Sequence, residues 1–159
     1  MIDLNNPDAI VLIKDLSRPS DISKVIEKLR AGSYCYAFKH NRVIIKIGMS
    51  KDKSKMWGER LYRQIANLPG WPTIPVSSCG KDIIEAVENF EQQTGTTVHK
   101  DDCTVEIWLP EETALITESN LLSQYEKLHS CLPPGNFKDT RVKSWVSKKH
   151  FSNLFETVL

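Results

Sequence analysis

Nothing in this chain pairs its cysteines. Cys35, Cys79, Cys103 and Cys131 stand far apart, form no CxxC pair and match no zinc-ligand spacing. A chain of this length should not need disulfides to fold, the spacings do not look like a zinc framework, and reduced thiols in a cytoplasm are expected. His40, His99, His129 and His150 likewise show no ligand spacing, and each reads as a surface or packing residue. The first stretch, Met1 to Ile13, carries Asp3 and Asp8 and no basic n-region, unlike a secretory signal. No apolar run approaches the length that crosses a bilayer, so no membrane partner is expected. Internal repeats and low-complexity segments are absent too. What remains is 159 residues, 40% hydrophobic and 26% charged. That is the balance of one soluble domain large enough to bury a core without staples.

The net charge of +1 conceals a segregation. From Lys39 to Arg63 there are eight Lys or Arg against two acids, and from Asp82 to Glu126 eleven acids against one Lys. From Lys138 to Lys149 there are again five basic residues against one acid. If the two basic stretches meet in space they make a surface for a polyanion; otherwise they are scattered solvated faces. Trp145, amid Lys143, Lys148 and Lys149, can touch nucleic acid in the first case or pack on the domain in the second.

Periodicity orders the rest. Ala9 to Ile13 is a short apolar run. Ser20 or Asp21 can cap a helix carrying Ile22, Val25, Ile26 and Leu29, with Gly32 past its end. Tyr34, Tyr36 and Phe38 then alternate with Cys35, Ala37 and Lys39, a strand period. A turn at His40-Asn41-Arg42 leads to a second strand, Val43 to Ile47, so the segment reads as a β-hairpin. Met56 to Leu68 reads as a helix with Trp57, Leu61, Ile65 and Leu68 on one face and Arg60, Arg63, Gln64 and Asn67 on another. Asp82 to Thr94 reads as a further helix, with Asp82 and Glu85 spaced as a capping box. Thr104 to Leu109 is a third strand. Pro110 opens a last helix running to about Leu128, with Glu111 and Glu112 in its first turn. A Pro-rich turn, Cys131 to Gly135, precedes a basic, aromatic tail.

Two triplets on the hairpin carry a resemblance. Tyr34-Cys35-Tyr36 and Lys46-Ile47-Gly48 resemble the paired motifs of the GIY-YIG endonuclease superfamily, in its variant with Lys in place of the second Tyr. The following helix resembles the one that bears that family's catalytic arginine, here Arg60, with Arg63 as the other candidate. Ala114 to Glu118, followed by Leu121-Leu122, resembles its metal-binding glutamate motif, and Asn136 after Pro133-Pro134 resembles its late Pro-x-x-Asn element. The match runs in order from about residue 32 to 136. Gln64 stands where many members carry His, and the segment 82–95 looks like an insertion. The resemblance implies a single-metal, one-step hydrolysis of DNA. In it Tyr36 takes a proton from water, Lys46 supports Tyr36 or orients the water, Arg60 holds the phosphate and Glu118 holds Mg²⁺ or Mn²⁺.

The residues bear the same chemistry on their own terms. Phosphodiester hydrolysis needs an activated water, neutralisation of the phosphorane and help for the leaving oxygen. A tyrosine serves as base only where a cation favours its anion. Lys46 lies ten positions from Tyr36, so a three-residue loop sets the two on one face and a two-residue loop on opposite faces. Tyr36 can equally be a core aromatic. Lys46, inside Val-Ile-Ile-Lys-Ile, needs its head to reach water or a partner. Arg60 offers a guanidinium fork for phosphate, or simply a solvated helix face. Leu115, Glu118, Leu122 and Tyr125 share a helical stripe, which sets a carboxylate among apolar neighbours. A divalent ion, or a Lys or Arg, would satisfy it.

The expectation is an α/β domain with a small three-stranded, mostly antiparallel sheet flanked by helices. Residues 1–31 form an N-terminal extension with a helix, 32–136 the nuclease-like domain, and 137–159 a basic tail packed on it. The function expected is metal-dependent DNA cleavage, with Lys51, Lys53, Arg63, Gln64 and Asn136 touching DNA and a homodimer where both strands of a palindrome are cut. Two alternatives stand beside it: a DNA-binding module of the same fold that does not cleave, and a protein-interaction domain that uses the acidic middle.

Overall fold

The hairpin forms as its alternation dictates and becomes the centre of the molecule. In the computed structural model, which describes residues 2–30, 32–50, 59–72 and 78–136, it comprises β2 (Tyr34–His40) and β3 (Val43–Ser50). Side chains are described at those positions except 59–60 and 78–82. The other strands are β1 (Ala9–Leu12) and β4 (Cys103–Trp108), giving a four-stranded antiparallel sheet in the order β1-β4-β2-β3. The α/β class is as expected; among the described residues the strand count is four, not three. The extra strand is the short apolar run near the start, which pairs with β4 from Ala9↔Ile107 to Leu12↔Thr104. Residues 1–31 thus supply an edge of the sheet as well as a helix. Four residues are too few for periodicity alone to mark β1 as a strand.

Helices cover both faces. On one lie α1 (Ile22–Lys28), α2 (Glu59–Ile65) and α3 (Ser78–Thr94). Their Ile22, Ile26, Leu61, Ile65, Ile83 and Phe90 pack against Tyr34, Tyr36, Phe38 and Ile107 of the sheet. On the other lies α4 (Ala114–His129), whose Leu121, Leu122 and Tyr125 pack against Cys35, Ala37, Ile47 and Trp108. Each fully buried Ile or Leu stabilises such a layer by ~1.5–3 kcal/mol. Double-sided cover explains why β2 is buried at six of its seven positions although its aromatics alternate.

Two helix starts differ from expectation. The third helix begins at Ser78, a turn before Asp82. The last begins at Ala114, where the Thr113 side chain accepts from the Ile116 N–H at 3.2 Å. This hydroxyl cap outcompetes the proline start, so Glu111 and Glu112 stand outside the helix. No helix among the described residues is long and apolar enough to cross a membrane.

Candidate active site

The hairpin places Tyr36 and Lys46 by a route the turn does not foretell. His40 pairs with Val43, so the loop has two residues, Asn41 and Arg42, with Asn41 at φ 52°. A plain ladder from such a loop would send the side chains of residues 36 and 46 to opposite faces. A bulge prevents this. Lys39 pairs with Ile44 but Phe38 pairs with Lys46, leaving Ile45 as an extra residue on β3. Lys46 therefore faces the same way as Phe38 and Tyr36, two residues along the ladder from Tyr36, whose direct partner is Gly48.

Gly48 is a seat for the phenol. A β-carbon there would stand 2.6 Å from both Cζ and Oη of Tyr36, so the ring end lies against the glycine backbone. Tyr36 is fully buried and packs edge-on to Phe38, with ring centroids 5.4 Å apart. Lys46 is 6% exposed. A β-carbon on Gly135 would stand 2.6 Å from Lys46 Cβ and 3.0 Å from the Ile45 carbonyl oxygen, so the turn at Pro134–Asn136 lies directly on the bulge.

Asn136 has a role other than the DNA contact expected of it. The Ile47 N–H donates to its Oδ1 at 3.0 Å, and its Nδ2 donates to the Ile47 carbonyl at 2.8 Å. The amide mimics a neighbouring strand along the outer edge of β3, at the centre of the Lys46-Ile47-Gly48 triplet. Gln64 also departs from its expected place. It is fully buried in line with Leu61, Ile65 and Leu68, and neither amide atom has a hydrogen-bond partner among the described residues. It does not belong to an exposed polar stripe, and only Arg63 of the expected contacts on that helix is exposed. The side chain of Arg60, and Lys51, Lys53 and the tail 137–159, lie outside the described residues.

Glu118 sits on the other side of the sheet. It is half-buried on α4, whose buried residues are Ala114, Thr117, Leu121, Leu122 and Tyr125; Leu115, expected on that stripe, is exposed. Its neighbour on the sheet is Cys35, whose thiol donates to the Ala114 carbonyl at 3.2 Å. Burial, and after it the charge of Glu118, push the Cys35 thiol up to about 12. Cys35 and Tyr36 point to opposite faces, so the described residues bring Tyr36, Lys46, Gly48 and Asn136 together, while Glu118 lies across β2 from the phenol.

No group of three or more His, Cys, Asp or Glu that could hold a metal gathers among the described residues. The thiol beside Glu118 is protonated and so is not a ligand; an ion held there would rest on the Glu118 carboxylate and on water, a donor set that only a hard cation accepts. No protein-family model, curated protein or solved structure matches this chain.

Proposed function

We infer that the chain is a metal-dependent DNA endonuclease of the GIY-YIG type that hydrolyses a phosphodiester bond in one step. The observation that carries this reading is the hairpin platform, where the Tyr36 phenol rests on Gly48 and a buried Lys46 shares its face. An ammonium held this deep favours a nearby anion, and a phenolate on the same face is one. Water attacks phosphorus, its proton passes to the Tyr36 phenolate, which becomes the phenol, the bond from phosphorus to the 3′ oxygen breaks, and that oxygen takes up a proton from a solvent water. Lys46 favours the phenolate or orients the water. Arg60 clamps the phosphate, while Arg63, Lys51 and Lys53 follow the DNA backbone. A Mg²⁺ or Mn²⁺ ion held through Glu118 would supply positive charge for the departing oxygen. Two copies acting together would cut both strands of a palindrome in a cytoplasm.

One observation favours a second reading, a DNA-binding module of the same fold that does not cleave: α4 holds Glu118 on the face opposite Tyr36. Supercoiled plasmid incubated with the intact chain separates the two. The endonuclease nicks it with Mg²⁺ or Mn²⁺ and not with EDTA, and Glu118→Ala abolishes nicking while DNA binding persists. Binding without nicking by the intact chain selects the module.

A further inference from the structure

Across the sheet from Tyr36, a cleft of about 420 Å³ opens between the N-terminal segment, the hairpin tip and the C-terminal end of α4. Leu4, Lys39, Arg42, Glu106, Tyr125 and His129 line it. Its volume falls in the range of small-molecule sites. Two features make it more than a surface dent. Glu106 is 7% exposed in a central strand, a position that carboxylates rarely occupy. Lys39 Nζ stands 3.2 Å from Glu106 Oε1 and is itself only a quarter exposed. The cleft therefore presents an acceptor with two oxygens directly beside a cationic donor. One wall carries the half-buried ring of His129, backed by the buried ring of Tyr125 with centroids 4.3 Å apart.

We propose that this cleft binds a guanine nucleotide. Guanine carries two adjacent N–H donors, on the ring and on the exocyclic amine, next to a carbonyl oxygen. The two oxygens of Glu106 accept from the pair, Lys39 donates to the carbonyl, and the base lies along the aromatic wall. Adenine and cytosine present only one donor beside an acceptor and leave half of the carboxylate unmatched, which a largely buried group tolerates poorly. Arg42, at the hairpin tip, offers its guanidinium fork to the phosphate. The nucleotide can be free or an unpaired residue of a strand; the recognition is the same.

The inference is independent of the nuclease reading, because the cleft is lined by none of Tyr36, Lys46, Arg60 and Glu118 and needs no metal. Calorimetric titration of the full chain in EDTA with GMP, AMP and CMP tests it. GMP is expected to bind with a Kd of about 0.1–1 mM, at least about tenfold more tightly than AMP or CMP. Glu106→Gln should erase that preference. Arg42→Gln, at an exposed position, should weaken GMP while leaving guanosine unchanged. If Glu106→Gln does not fold, the wild-type GMP-to-AMP ratio and Arg42→Gln carry the test. Tighter binding of the trinucleotide dT-dG-dT than of GMP would point to a strand, and equal binding to a free nucleotide; either supports the pocket. No heat with GMP at about 10 mM, or equal affinity for GMP and AMP, overturns the proposal.

Discussion

At position 48 there is room for a hydrogen and no more. Because the Tyr36 ring is locked in the core, an added methyl has nowhere to send it, and Gly48→Ala should cost ~1–3 kcal/mol of stability. Chemical denaturation measures this, and an unchanged midpoint would show that the phenol does not rest on the glycine. His40 gives a second handle at this scale. It is 2% exposed, stacks edge-on against Phe90 of α3, and burial lowers its pKa below 6.5, outweighing the opposite pull of Asp102 and Glu91. A group whose folded value is depressed binds its proton more readily in the unfolded chain. Its contribution is therefore whole above pH 6.5 and is lost as pH falls from there through the folded value. Thermal unfolding should show stability falling with acidity below about pH 6.5, with a shallower fall in His40→Gln over the same window. A loss that begins only where carboxylates titrate would contradict this.

Edges decide the behaviour of the elements. Among the described residues the outer edge of β3 has no neighbouring strand, and the Asn136 amide takes that place at Ile47. Asn136→Ala should cost ~1–3 kcal/mol, since it strands a backbone donor and acceptor together. Asn136→Asp should cost nearly as much, because a carboxylate can accept from the Ile47 N–H but repels its carbonyl. Hydrogen exchange at Ile47 reports both; protection equal to wild type would count against the edge role. This element also marks where sequence reading succeeds and fails. Strand and helix periods at Tyr34–Phe38, Val43–Ile47 and Ile22–Leu29 announced three elements, because one-sided burial writes itself into residue spacing. The bulge at Ile45 left no mark, since an extra apolar residue looks like one more strand residue. Gln64 is polar yet buried and Leu115 apolar yet exposed, so polarity alone does not locate either side chain. The sequence order of the motif residues was visible. Which face of the sheet each would take was not, since that depends on the packing of α4.

For the whole molecule, the charge segregation and the platform make one joint expectation. On the proposed reading, DNA affinity should fall with salt, with a log–log slope of about −0.9 per phosphate neutralised. Fluorescence anisotropy across a salt series measures the slope, and a flat response would remove the polyanion partner. The hairpin platform itself is tested most directly by the single-turnover rate of plasmid nicking by Tyr36→Phe, set beside wild type at equal DNA occupancy. The change removes one oxygen from a residue packed in the core. The account predicts a rate lower by at least about 100-fold, the scale of a lost general base, with DNA affinity and unfolding midpoint close to wild type. A Tyr36→Phe protein that nicks as fast as the parent would contradict it.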